Sequence, residues 1–170
     1  MKNLLLICIL LAGRSHAIAQ ETSNPAIEKL AFLEGKWSGP AWVSLGPNNS
    51  KTLAQKEDVK LMLNKNVLHV EGIGSENGKE VFHALGIVSY NKQTEKYNFR
   101  AYRENGMSTD AYFIPKGEKW FEWGFDMGNG AKVRYNIQIN EKGQWHEVGE
   151  FSPDGNKWYK NFEMTLDKTI

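Results

Sequence analysis

The chain has 170 residues, of which 41% are hydrophobic, and this length suits one globular domain with a real core rather than two. Its formal charge of +1 at pH 7 gives no strong field, which argues against nucleic acid as a partner. A single cysteine, Cys8, excludes an internal disulfide and a cysteine-based metal centre.

The N-terminus has the pattern of a signal peptide. Lys2 precedes an apolar run at residues 4–12, and the small residues Ala17 and Ala19 fit a signal-peptidase site. We therefore expect cleavage between Ala19 and Gln20. The mature protein would be exported, either to the periplasm or to the extracellular space.

Cleavage would divide the chain into a signal peptide, residues 1–19, and a single domain, residues 20–170. It would remove Lys2 and Arg14 from the 21 basic residues, so that 19 remain against 20 acidic residues and the formal charge becomes −1. No later segment approaches the roughly 20 consecutive apolar residues that a membrane-spanning helix requires. We predict no transmembrane segment in the mature chain.

One short helix is predicted at the start of the domain. Asn24 is a suitable N-cap, and Pro25 would occupy the first helical position. The helix should end before Gly35. Its apolar residues follow helical spacing: Ile27, Leu30, Ala31 and Leu33.

The rest of the domain alternates between short strands and turns. The turn-type clusters begin at Asn64, Glu76, Asn91, Asn105, Lys116, Gly128, Glu141 and Pro153. Their spacing of about 10 to 14 residues is typical of strands linked by hairpins. Between them apolar residues alternate with polar ones, as in Phe121, Trp123 and Phe125.

This order predicts an all-β fold: a single antiparallel up-and-down β-barrel of about ten strands with a short N-terminal helix. A meander of that length leaves two exposed edges unless it closes. Where the helix enters the first strand, Gly35 and Gly39 would permit tight bends and the large Trp37 ring would plug the barrel end.

Three segments carry a family resemblance: "LAFLEGKWSGPAW", "HALGIVSYNKQTEKYNF" and "GEFSPDGNKWYKNFEMTL". They resemble a bacterial family of secreted lipocalin-like proteins of unknown function, with a Phe-Leu-x-Gly-x-Trp start. The resemblance covers roughly residues 27–168. It implies a calycin-type barrel and leaves the ligand open, because the shared motifs are turns, glycines and core rings.

The same start is similar to nitrobindin, a ten-stranded barrel that binds haem, so haem is a candidate cofactor. In that family the tryptophan precedes alternating glycines and a Tyr-Pro, and a histidine in the closing strands binds iron. Here Ser38-Gly39-Pro40 follows Trp37, and the last predicted strand contains no histidine. His146 lies one strand earlier, on the face opposite Trp145. We therefore expect no cofactor, haem included.

Other catalytic and metal motifs are absent from the sequence. His69, His83 and His146 fall in three separate strands without the short spacing of a metal site, so no metal is expected. The chain contains no Gly-x-Ser-x-Gly elbow and no phosphate-binding glycine loop before a helix.

Polar residues that face into the barrel are the remaining candidates for a site. Glu147 shares a strand face with Trp145, Gly149 and Phe151, so it should point inward. His83 lies in a strand whose two faces are equally apolar, so its direction stays open. The candidate ligand-binding residues are Glu147, Arg103, Tyr135, His83, Trp123 and Trp145.

The sequence leaves three functions open. The first is a non-enzymatic protein that holds a small hydrophobic or amphipathic molecule in the barrel. The second is an enzyme on the same barrel, with Glu147 or His83 as acid or base acting on a lipid-like substrate. The third is a structural or interaction protein of the envelope with a filled core. An apolar cavity would favour binding, and a carboxyl of shifted pKa beside a second polar group would favour an enzyme.

Overall fold

The computed structural model of the protein describes residues 23–169. The predicted signal peptide and its cleavage site at Ala19–Gln20 lie outside these residues. The predicted helix begins as expected, because the Asn24 side chain accepts a hydrogen bond from the backbone N–H of Ala26. The helix is divided in two: α1 comprises Pro25–Glu28, and a 3₁₀ turn follows at Ala31–Leu33.

Ten antiparallel strands form a closed barrel, and this confirms the predicted fold class. Consecutive strands pair with each other, and β1 closes the barrel by pairing with β10. The strands are β1 Gly35–Gly46, β2 Asn49–Met62, β3 Val67–Glu76, β4 Lys79–Asn91, β5 Lys96–Arg103, β6 Ser108–Gly117, β7 Trp120–Gly128, β8 Ala131–Ile139, β9 Trp145–Ser152 and β10 Tyr159–Thr169.

The turns follow the predicted clusters with two differences. The connection from β6 to β7 is at Glu118–Lys119, two residues after the Lys116-Gly117 pair that suggested it. The first turn, at Pro47 and Asn48, was not predicted, because the polar sequence of β2 after it does not alternate clearly. Among residues 23–169, neither helical segment has the length and hydrophobicity needed to cross a bilayer.

The N-terminal helix covers one end of the barrel, which we call the closed end. Ile27, Leu30 and Leu33 are buried there. The Tyr97 hydroxyl donates a hydrogen bond to the Ala26 carbonyl oxygen over 2.8 Å, which ties β5 to the helix. The opposite end, formed by the turns after β1, β3, β5, β7 and β9, is the open end.

Trp37 lies at the closed end and is only 3% exposed. Its indole N–H donates to the Leu33 carbonyl oxygen over 2.8 Å, and its ring packs edge-on against Trp145 with centroids 5.9 Å apart. Gly35 has a φ of +123°, a conformation that favours glycine, and a side chain on Gly39 would meet the Thr165 carbonyl oxygen. Trp37 is therefore buried at the closed end beside these two glycines, and its role as a plug stays a prediction.

Candidate functional site

The barrel encloses a cavity of about 620 Å³. This volume lies within the range of about 300 to 1,000 Å³ that small-molecule sites occupy. Its walls are mainly aliphatic and aromatic side chains from all ten strands, and the 3₁₀ turn contributes Leu33. The polar side chains that line it are Ser44, Lys51, Gln55, Glu57, Glu76, Tyr102, Arg103, Thr109, Tyr135, Glu147 and Asn161, with the indoles of Trp123 and Trp145.

Glu147 faces the cavity from β9, as the strand alternation predicted, and is 6% exposed. Both of its carboxyl oxygens accept hydrogen bonds from indole N–H groups. Trp123 donates to Oε1 over 3.1 Å, and Trp145 donates to Oε2 over 3.2 Å. These two bonds fix the orientation of the carboxyl group, because both rings are packed against other aromatic side chains.

A second buried carboxyl, Glu57 on β2, lines the same cavity. Gln55 Nε2 donates to Glu57 Oε1 over 2.7 Å. The carboxyl group lies against Gly72 on β3, where an added Cβ would be within 2.9 Å of both its oxygens. Sequence analysis missed Glu57 and Gln55. They share a face with Val59 and Leu61, so extending that alternation toward the start of β2 would have found them.

Burial changes the protonation of both carboxyl groups. It raises the pKa of Glu57 to about 8, partly offset by the Gln55 hydrogen bond and reinforced by the Glu147 charge. Burial likewise raises the pKa of Glu147 to about 7, and the two indole hydrogen bonds act in the opposite direction. The cavity therefore contains two carboxyl groups that take up protons near neutral pH.

Tyr135 lies on β8 beside this pair. Its ring stacks on Trp123 with centroids 4.1 Å apart and planes inclined by 10°. Burial and the nearby Glu147 carboxylate raise the Tyr135 pKa to about 12, while Arg103 acts to lower it. Tyr135 is therefore a neutral hydroxyl group at physiological pH, within electrostatic reach of Glu147 and Arg103.

Arg103 and the other basic group of the cavity lie toward its open end. The Arg103 side chain is exposed, and its guanidinium carbon is 5.2 Å from the centre of the Phe82 ring. Lys51 forms an ion pair with Glu76 at 2.8 Å. The structure thus separates the cavity into a closed-end part with two acids and an open-end part with mixed charge.

His83 does not join the other predicted residues. It lies on the outer face of β4, where Nε2 is 2.9 Å from Glu71 and Nδ1 is 3.2 Å from Glu80, while its neighbours Phe82 and Ala84 line the cavity. The Glu71 hydrogen bond raises the His83 pKa. We therefore remove His83 from the candidate ligand-binding residues.

The other two histidines of residues 23–169 also lie on the outer face. His69 follows the cavity-lining Leu68 in β3, and His146 forms an ion pair with Glu163 at 3.1 Å. Within residues 23–169, no group of three or more histidine, cysteine, aspartate or glutamate side chains is arranged to hold a metal ion.

The fold and the cavity define a class: a closed ten-stranded antiparallel barrel with an internal, largely apolar cavity. No family model matches the sequence, and no curated protein matches it significantly. The structure is similar to the crystal structure of Rv2717c from M. tuberculosis, with a TM-score of 0.61 and 12% sequence identity. The match covers 87% of this chain and 99% of that chain. At this identity the likeness shows a shared barrel fold and nothing of function.

Proposed function

We propose that the protein binds a small hydrophobic or amphipathic molecule inside its barrel. The observation that carries this proposal is the cavity of about 620 Å³, which is lined by apolar side chains and a few fixed polar groups. A filled core would be the expected alternative for a structural protein, since side chains can just fill a barrel of about eight strands. Ten strands leave room that the chain's own side chains do not occupy.

The polar groups support selective binding. Glu147 and Trp123 are held by a hydrogen bond, and Tyr135 is held by stacking on Trp123, so little side-chain freedom would be lost when a ligand binds. Arg103 at the open end offers a second polar contact.

The predicted signal peptide supports export, and the mature protein would begin at Gln20. N-terminal sequencing of protein from the source cell tests this point, and an intact Met1 would contradict export.

An enzyme remains the second candidate, and a specific observation favours it. Glu147 and Glu57 have pKa values near 7 and 8, where a general acid or base works best at neutral pH, and each touches a second polar group. Those second groups are an amide and indoles, which neither attack a substrate nor transfer protons. We therefore propose ligand binding as the main function and catalysis as the second candidate.

Binding can be tested directly. Native mass spectrometry of protein purified from its own host should show a small molecule that leaves on denaturation. For purified apo protein, the neutral fluorescent probe N-phenyl-1-naphthylamine should bind with saturation. The variant Ala101→Phe places a ring in the cavity and should abolish binding, whereas Asn98→Phe, on the exposed outer face of the same strand, should not. Equal probe binding by both variants would contradict the proposal.

A further inference from the structure

The charge distribution in the cavity is uneven. Among the described residues, the charged side chains that line it are Lys51, Glu57, Glu76, Arg103 and Glu147. Both basic residues belong to the open-end part: Lys51 is already paired with Glu76, and Arg103 is exposed. The closed-end part therefore contains two buried acids and no base within residues 23–169.

One carboxyl oxygen of the two acids has no hydrogen-bond donor within the described residues. Gln55 donates to Glu57 Oε1, but within residues 23–169 no donor reaches Glu57 Oε2. The Asn161 side chain, which also lines the cavity, has a buried Oδ1 without a hydrogen-bond partner in the same range. In the described part of the chain, the cavity thus has one carboxyl oxygen without a donor on Glu57 and one unpartnered amide oxygen, that of Asn161, toward the open end. A buried acceptor without a donor is unfavourable, so a ligand that brings donors would be favoured.

Aromatic side chains lie beside Glu147. Trp123 stacks on Tyr135 and packs edge-on against Phe99 with centroids 4.9 Å apart, and its indole N–H contacts Glu147. Buried carboxylates beside apolar rings form an environment in which an ammonium group gains charge partners and its hydrocarbon part gains apolar contacts.

We propose that the ligand is a cationic amphiphile, a hydrophobic amine whose ammonium group binds between Glu57 and Glu147 and whose apolar part fills the rest of the cavity. This inference rests on the binding function proposed above and names the class of ligand. An ammonium carries three N–H donors, which the carboxyl oxygens of the two acids can accept. It also supplies the positive charge that the closed-end part lacks.

Two other classes of ligand, fatty acids and neutral alcohols, would interact differently with the cavity. A fatty acid would place its carboxylate at the open end, near Arg103 and Lys51, and its tail against the two acids. A neutral alcohol can accept a hydrogen bond from a protonated carboxyl or donate one to an ionised carboxyl, so ionisation of the acids favours it far less than it favours a cation. Dodecylamine, dodecanoate and dodecanol have the same chain and differ in the head group, so they separate the three cases.

The experiment measures displacement of N-phenyl-1-naphthylamine by these three compounds at about pH 8.5, where an alkylammonium remains charged as lysine does. We expect dodecylamine to bind at least about tenfold more tightly than dodecanol or dodecanoate. Glu57→Gln and Glu147→Gln should each weaken dodecylamine binding about tenfold and leave dodecanol binding unchanged or tighter. The control variants Asp58→Asn and Glu150→Gln lie on the outer face and should change the affinity for neither dodecylamine nor dodecanol.

The pH dependence gives a second readout. The titratable groups that face the cavity are Glu57, Glu147, Tyr135, Tyr102 and, at the open end, Lys51, Glu76 and Arg103. Protons compete with an ammonium for the two buried carboxyls, so dodecylamine affinity should rise from about pH 6 to about pH 9, up to tenfold per pH unit for each proton released. Dodecanol affinity should stay flat or fall.

The outcomes distinguish the two proposals. If the neutral probe fails to bind the parent protein, the binding function itself is wrong. If the probe binds but dodecanol competes as well as dodecylamine, or dodecanoate competes better, the cavity binds ligands and only the inference of a cationic ligand is overturned. Loss of dodecylamine preference in Asp58→Asn would likewise overturn it, since that side chain lies outside the cavity.

Discussion

The Tyr135 ring occupies the space in which a side chain at position 149 would lie. Gly149 is the direct partner of Tyr135 across β8 and β9, and a Cβ on Gly149 would be 2.5 Å from Tyr135 Cε1 and 2.7 Å from Cδ1. The Tyr135 ring also stacks on Trp123. It packs edge-on against Phe162, and these two ring centroids are 5.9 Å apart. The glycine therefore allows the ring to lie over the strand and form part of the cavity wall.

Gly149→Ala should displace this ring. We expect the free energy of unfolding to fall by about 1 to 3 kcal/mol, because a methyl group is forced into a packed site. Urea denaturation measures the change, and near-ultraviolet circular dichroism should report the loss of the Tyr135–Trp123 stack. In a Tyr135→Leu background the same substitution should cost much less. Additive effects of the two changes would show that the ring is not what Gly149 accommodates.

Stability should depend on pH through the two buried carboxyls. Their pKa values in the folded protein, about 8 for Glu57 and about 7 for Glu147, are raised above the ordinary value near 4.5. The folded protein thus holds more protons than the unfolded chain between these limits. The stability from the neutral carboxyls is fully present below about pH 4.5 and is lost as pH rises through the folded pKa values, by up to about 1.4 kcal/mol per pH unit for each group.

The double variant Glu57→Gln, Glu147→Gln isolates this effect. Its free energy of unfolding should exceed that of the parent protein by an amount that grows from about pH 5 to about pH 8 and then stays constant. Urea titrations at several pH values measure the difference, and Asp58→Asn, Glu150→Gln serves as the control on the outer face. A constant difference across this range would mean that the two carboxyls are already ionised in the folded protein.

Trp37 should be a structural residue rather than a ligand contact. Trp37→Ala removes a buried ring and its hydrogen bond to Leu33, so we expect a loss of about 3 to 5 kcal/mol in the free energy of unfolding. Trp37→Phe should cost much less, because most of the packing is retained. Unchanged stability in Trp37→Ala, together with weaker probe binding, would place Trp37 in the ligand site instead.

Haem should not form a histidine-ligated complex with this protein. His69, His83 and His146 lie on the outer face of the barrel, so none of the histidines in residues 23–169 reaches the cavity. Titration of apo protein with haem should therefore give no sharp, saturable Soret band of a five-coordinate histidine complex. Appearance of such a band, and its loss in His83→Ala or His146→Ala, would contradict this expectation.

The alternation of residues predicted the barrel and the inward direction of Glu147, because Trp145 marks the inner face of β9 without ambiguity. The sequence analysis did not identify Glu57. A carboxyl group is costly to bury, so a charged strand sequence does not by itself indicate an inward acid, and the space that Gly72 leaves on the next strand is not visible from sequence. The direction of His83 could not be predicted, since both faces of β4 are apolar.

The sequence also could not decide between a cavity and a filled core. Rings that line a space and rings that fill one give the same alternation along a strand. Trp123 and Tyr135 illustrate the difference: both face the interior, yet they stack on each other along the wall instead of meeting across the centre. Among the features of the sequence, only the expected number of strands, about ten, favours a cavity.

Because β1 pairs with β10, we expect closure of the barrel to be a late step in folding. Trp37 is opposite Lys168 in that ladder, so the contact joins segments from nearly opposite ends of the domain. Bringing such distant segments together costs loop-closure entropy before any packing is gained, and chains rich in such contacts fold in milliseconds to seconds. Before β10 pairs with β1, the edge of β1 is unpaired and the aromatic rings around the cavity are exposed to water. A chain shortened before Tyr159 should therefore aggregate, whereas a slow refolding phase of the whole domain should report closure of the barrel.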